Sequence, residues 1–225
     1  MAIPVTKGTA RITDCTDLLL LEKNLGTTVD YYFTPQSPWG YLGHQRFAQI
    51  ARAAGAAIRV LPIDLGGKVF PISGGLPLGQ RAPQRQAYRL VELKRHSMFL
   101  KLPLNLKPRF FPVSGDDASR LIIAVDLHDG ADAAMKISGA IFTAVWAEER
   151  HIADEKVLAA LLAECGLQPA RLEQSYTQAV QERYEANTEQ AIKAGVFGAP
   201  SYLVDGELFW GQDRLDFVER RLSGA

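Results

Sequence analysis

The chain has 225 residues, 47% of them hydrophobic, and its 25 Lys and Arg balance 25 Asp and Glu, so the formal net charge is zero. That length allows one body to bury roughly three quarters of its unfolded surface, and the lack of a basic excess argues against nucleic acid as a partner. Cys15 and Cys165 form no Cys-x-x-Cys and keep no ligand spacing with the four histidines, so the disulfide and zinc readings have no support and no metal is expected.

The opening residues, "MAIPVTKGTARITDCTDLLLLEKNLG", carry Asp14, Asp17 and Glu22 around a run of only four leucines. A secretory leader or membrane span needs a longer uncharged stretch, so a cytoplasmic protein with no membrane partner is expected, with residues 1–28 as an N-terminal extension. "TVDYYF" follows, rich in β-branched and aromatic residues, and "IRVLPI" (58–63) is a second strand one helix later. The pair reads as a βαβ unit with parallel strands.

Residues 64 to 82 hold five glycines and two prolines and read as loop. Helices dominate from Pro83. "APQRQAYRLVELKRHSMFL" carries Ala87, Leu90, Val91, Lys94 and Met98 at helical spacing, and "DDASRLIIAVDLH" follows a proline-rich break. Asp132 is the expected N-cap of a helix burying Met135, Ile141, Phe142, Val145 and Trp146, and Asp154 caps the next, which Gly166 ends. That helix carries Cys165 at the end of an apolar stripe, the place of a packed thiol. Pro169 opens a long helical pattern that stops at Gly195. "SYLVD" and "ELFWG" form a hairpin around Asp205-Gly206, and "QDRLDFVERRL" is a short amphipathic helix.

A βαβ unit, a helical stretch and a closing ββα unit is the element order of an α/β thioredoxin-like fold with an inserted all-helical domain. Residues 29–65 and 191–225 would form the thioredoxin-like domain, and 66–190 the insertion.

Ser37, in "QSPWG", is a favoured N-cap with Pro38 at the first helical position. It also stands where thioredoxin-like proteins hold a reactive sulfur against free amide N–H groups and the helix dipole. A serine hydroxyl exchanges no disulfide, but it can donate to a thiolate brought in by a ligand. In "GVFGAP" (195–200), Pro200 falls where these proteins hold a cis-proline beside an extended peptide. Gln212 and Asp213 start the last helix, where they are ordinary caps as well as candidate ligands.

Ser37-Pro38, Gly-x-Phe-Gly-x-Pro and Trp-Gly-Gln-Asp-Arg together resemble the kappa-class glutathione transferases and, more closely, the bacterial 2-hydroxychromene-2-carboxylate isomerases. The resemblance covers about residues 29 to 222, including "IFTAVWAEERHIADEKVLAAL" (141–161). It implies glutathione as the cofactor and a homodimer as the assembly. It assigns Ser37 as donor to the glutathione thiolate and Ala199, before Pro200, as the residue whose backbone pairs with the cysteinyl part. Gln212 and Asp213 would hold the γ-glutamyl end, and Arg85 stands where relatives often have a lysine near the glycyl carboxylate. Leu76 replaces an Asn that contacts glutathione in the kappa class.

The implied substrate is an aromatic ring conjugated to an α-keto acid, whose C=C bond blocks rotation between cis and trans. Thiolate addition makes that bond single, and rotation followed by thiolate loss gives the other isomer. Trp39 and Tyr41, in the first helical turn, are candidate walls for a flat acid, with core packing as the competing role. Arg109, beside Phe110 and Phe111 in "LKPRFFP", is a candidate partner for its carboxylate. A kappa-like transferase or peroxidase and a noncatalytic glutathione-binding protein are the alternatives on the same scaffold.

Overall fold

The computed structural model describes residues 26–224. The expectations for the N-terminal extension up to residue 25, and for Cys15, lie outside them. Strand β1 (Thr28–Phe33) leads through Ser37 into helix α1 (Pro38–Ala53), and β2 (Ala57–Pro62) returns parallel to β1. The hairpin β3 (Ser201–Val204) and β4 (Glu207–Trp210) then adds antiparallel to the other side of β1, giving the order β2-β1-β3-β4. Asp205 and Gly206 both take positive φ, 48° and 82°, as the tight two-residue turn requires. This mixed sheet with an Ala199-Pro200 cis bond at the start of β3 is the thioredoxin-like arrangement.

Alternation along β1 sorts the two faces. Val29, Tyr31 and Phe33 enter the larger core, where Tyr31 stacks on Tyr202 at 5.4 Å between ring centres, while Tyr32 joins Leu61, Ile63 and Val69 on the other side. Asp30, also on that second side, is buried but meets the Arg59 guanidinium through both oxygens. A buried carboxylate needs such a partner.

Between β2 and β3 the chain forms α2 (Phe70–Ser73), α3 (Pro83–Leu100), α4 (Asp116–Asp129), α5 (Ala131–Trp146), α6 (Glu155–Glu164), α7 (Ala170–Gln174) and α8 (Gln178–Lys193); α9 (Leu215–Ser223) closes the fold. Helices α3 to α6 and α9 share the larger core with the sheet: Phe142 of α5 packs on Phe33 of β1, with ring centres 5.6 Å apart.

Several local expectations shift. Residues 64–82 are partly ordered as a π-turn (Leu65–Val69), α2 and a 3-10 turn (Leu78–Gln80), because Asp64 accepts from Gly67 N–H and caps the first of them. Gly130, not Asp132, is the N-cap of α5; Asp132 sits inside the first turn, where its charge still suits the helix dipole. The pattern after Pro169 breaks at Ser175–Thr177 into α7 and α8. On α3 the buried residue is Leu93, with Arg89, Leu90 and His96 beside it, whereas Val91 and Met98 face outward with Tyr88 and Phe99. Apolar residues lie around most of that helix, so periodicity alone does not choose its inner face.

Candidate active site

The site grows from the end of β1. Ser37 is extended (φ −76°, ψ 123°), and its Oγ accepts the Gly40 N–H at 3.2 Å, which caps α1. Pro38 has no N–H to satisfy, and the Trp39 N–H has no acceptor among the described residues. The cap consumes a lone pair of Oγ and leaves the hydroxyl hydrogen unspent. Capping and donation to a ligand are therefore compatible roles of one side chain.

Register brings the second element alongside. Ser201 of β3 pairs with Tyr32, so Pro200 and Ala199 continue opposite Phe33 and Thr34, next to the α1 N-terminus. The N–H and C=O of Ala199 have no partner among the described residues, although the residue is almost buried. Buried backbone groups are rarely left unpaired, so this is an open edge for an extended ligand.

Gln212 completes the floor. It is buried against α1, where Gly43 leaves room: a Cβ at Gly43 would stand 2.7 Å from the Gln212 Cβ and 3.1 Å from the Tyr202 hydroxyl. Gln212 Nε2 donates to His96 Nδ1 at 3.0 Å, and the His96 ring meets Trp39 edge-on at 5.9 Å. With Nδ1 accepting, the neutral His96 ring carries its proton on Nε2. Asp213, in the same 3-10 turn (Gln212–Arg214), is half-exposed and pairs with Arg214 at 2.8 Å. Sequence reasoning did not single out His96, whose helical periodicity is that of any residue on the inner face of α3.

The structure thus brings Ser37, Trp39, Ala199, Pro200 and Gln212 together, with Asp213 at the rim. Tyr41 goes elsewhere: it is buried in the core and its hydroxyl donates to the Pro103 carbonyl at 2.6 Å. Arg85 is exposed in the first turn of α3, and Leu76 is exposed ahead of it. Arg109 is exposed, its guanidinium carbon 5.2 Å from the Phe110 ring centre, and its backbone N–H donates to the Glu149 carboxylate. Phe111 turns away from it to pack on Trp146, and the cation over that pair is Arg89.

Comparison with known proteins gives the family and the fold. The DSBA-like thioredoxin domain model matches residues 28–223. A 2-hydroxychromene-2-carboxylate isomerase of Pseudomonas putida is 33% identical over 87% of this chain and 94% of its own. A solved 2-hydroxychromene-2-carboxylate isomerase superposes with a TM-score of 0.73 at 30% identity, covering 88% of this chain and 95% of the other. The chain belongs to the 2-hydroxychromene-2-carboxylate isomerase family, within the DSBA-like thioredoxin fold. Human glutathione S-transferase kappa 1 is a more distant relative, 24% identical over 88% of this chain and 92% of its own. For a member of this isomerase family the sulfur inventory is informative. The described residues hold one cysteine, Cys165, buried at the end of α6 with its thiol pKa raised by desolvation. Ser37 occupies the helix N-terminus, so this turn has no sulfur of its own for disulfide exchange.

Proposed function

We propose that this protein is a glutathione-dependent cis–trans isomerase of aromatic keto acids of the 2-hydroxychromene-2-carboxylate and hydroxybenzylidenepyruvate type. The observation that carries the reading is the Ser37 turn: a hydroxyl with its hydrogen unspent and a free Trp39 N–H at a helix N-terminus, facing the unpaired Ala199 backbone. A tripeptide thiol fits this donor set, because the open Ala199 edge suits an extended peptide and the two donors suit a sulfur anion. Ala199 would hold the cysteinyl part, Gln212 and Asp213 the γ-glutamyl end, and Arg85 the glycyl carboxylate. The kinship with isomerases and with glutathione S-transferase kappa 1 supports the same cofactor.

When bound, glutathione supplies a thiolate that adds to the conjugated carbon of the substrate and leaves after rotation about the former double bond. The protein's part is electrostatic and geometric. Ser37 donates to the sulfur position and favours its anion, Pro200 and Ala199 fix the peptide's direction, and Trp39 offers an aromatic wall beside the reacting carbon. Exposed Tyr88, Met98 and Phe99 on α3 support a homodimer, and a shift to monomer in sedimentation velocity for Phe99→Glu would agree with it; an unchanged state in that variant counts against that face.

The kinship with the kappa transferase favours a second reading, in which the same site consumes an electrophile or a peroxide. Isomerisation of a benzylidenepyruvate and conjugation of a chlorodinitrobenzene, each with and without glutathione, separate the two. Glutathione-dependent isomerisation with little conjugation is expected; conjugation alone overturns the isomerase, and binding without turnover makes the protein a glutathione-binding one. Glutathione should also raise Tm by mass action, and cysteinylglycine, which lacks the γ-glutamyl group, should raise it less. Equal shifts would remove Gln212 and Asp213 from the site.

A further inference from the structure

Arg89 stands out among the described cations. It projects from the inner face of α3, half-buried, with its guanidinium carbon 5.4 Å from the ring centre of Phe111 and 5.7 Å from that of Trp146. No carboxylate among the described residues lies within ion-pair distance of it, nor of Arg85, one turn nearer the start of the helix, nor of Arg81, just ahead of the helix. Desolvation and then the like charge of Arg81 lower its pKa to about 10, so it remains a cation at neutral pH. Beneath it the indole N–H of Trp146, a fully buried residue, also lacks an acceptor. The indole is sealed from the surface, so the half-buried guanidinium, a desolvated charge without an acceptor, is the group that matches an anion.

The position connects to the Ser37 turn from two sides. Phe142 packs against Gly40, so closely that a Cβ there would stand 2.7 Å from its ring, and Trp146 is the next turn of α5. Arg89 also lies seven residues before His96 on the same inner face of α3, about 10 Å along the helix, and His96 borders Trp39 and Gln212. Arg109, by contrast, is exposed and its segment already holds the Glu149 carboxylate, which repels a second anion.

We propose that Arg89, lying over Phe111 and Trp146, is the substrate-specificity residue of this site: its guanidinium takes the carboxylate of a flat aromatic acid whose ring packs against the accessible part of Phe111. This rests on the reading of the cleft as a site for aromatic keto acids, and it assigns the substrate carboxylate to Arg89 while Arg85 serves the glycyl carboxylate. A fork of N–H donors beside a ring recognises an aryl carboxylate at both ends, and a neutral analogue of the same shape finds only the ring.

The test is binding without turnover. Cinnamate and cinnamamide are titrated calorimetrically into the wild-type protein, Arg89→Gln, Arg89→Lys and Arg109→Gln, each saturated with S-methylglutathione, which has no thiol to react. Cinnamate should bind the wild type, weaken by about 10-fold or more in Arg89→Gln and by less in Arg89→Lys, and be unaffected in Arg109→Gln. Cinnamamide should bind weakly and equally to all four. Arg89→Lys keeps the charge and the packing stem, so it answers the question if Arg89→Gln folds poorly. Equal loss of acid and amide would reduce Arg89 to packing, and no loss of cinnamate, no binding of it by the wild type, or a matching loss in Arg109→Gln, would each overturn the assignment. A failure of glutathione-dependent isomerisation is a separate result, since these titrations require none.

Discussion

Ser37→Ala is expected to lower isomerase turnover at neutral pH by about 10- to 100-fold. A hydrogen bond to a charged group contributes about 1.5–3 kcal/mol, and at about 1.4 kcal/mol per pKa unit its loss raises the bound thiol by one to two units. Once that pKa lies above the working pH, each unit removes nine tenths of the remaining thiolate. The deficit should therefore shrink as pH rises toward the shifted pKa, a signature that simple misfolding does not produce. The same substitution deletes the cap on Gly40 N–H and should cost about 1 kcal/mol of stability. Ser37→Asn separates the two effects, because Asn caps well but presents its donor from a longer side chain. Thiolate absorbance of bound glutathione against pH, measured in all three proteins beside their urea midpoints, decides between them. An unchanged titration in Ser37→Ala would leave the sulfur to the Trp39 N–H and the helix dipole alone.

That experiment concerns a residue the sequence displays openly. Ser-Pro after an aromatic β-branched strand is a local signal, and so are the Asp205-Gly206 turn and the helix stop at Gly166, each set by its own backbone chemistry. The element order of the sheet was legible for the same reason. What α3 buries was not. Its sequence carries apolar residues on two arcs, and the arc that faces inward is chosen by Phe111 and Trp146, which arrive from segments more than 20 and 50 residues away. Arg89 therefore reads in the sequence as one more solvated charge, and Arg109, adjacent to two phenylalanines, as the better anion partner. Burial reverses their order. His96 was hidden likewise, since its role depends on Gln212, 116 residues on.

A different histidine sets the expected response to acid. His44, on α1 about one turn beyond Gly40, is buried; its Nε2 donates to the Met135 carbonyl at 2.9 Å and its Nδ1 accepts from the Tyr31 hydroxyl at 3.3 Å. Burial lowers its pKa to about 4, only partly opposed by the bond to Met135. In the unfolded chain the ring titrates near 6.5. Between those values the unfolded state binds a proton that the folded state refuses, so stability falls as pH drops from about 6.5 to about 4, and the contribution is whole above 6.5. The full span is worth about 3 kcal/mol. In His44→Gln the side chain keeps a donor for Met135 but cannot titrate. That variant should lose about 1 kcal/mol at pH 7.5 through poorer bonding and then close the gap with the wild type as pH falls, with carboxylate titration common to both. Urea unfolding at pH 7.5, 6.5, 5.5 and 4.5 measures the two slopes, and parallel slopes would dismiss His44 as their cause. The consequence reaches the candidate site, because the Tyr31–His44 bond ties β1 to α1. Ser37 lies in the turn that joins β1 to α1, and protonating His44 leaves its Nε2–H on Met135 but fills Nδ1, which takes away the acceptor of the Tyr31 hydroxyl and loosens the joint behind the sulfur-facing turn. Loss of cinnamate binding in the wild type over the same pH interval, and its retention in His44→Gln, would trace the acid sensitivity of the cleft to that joint.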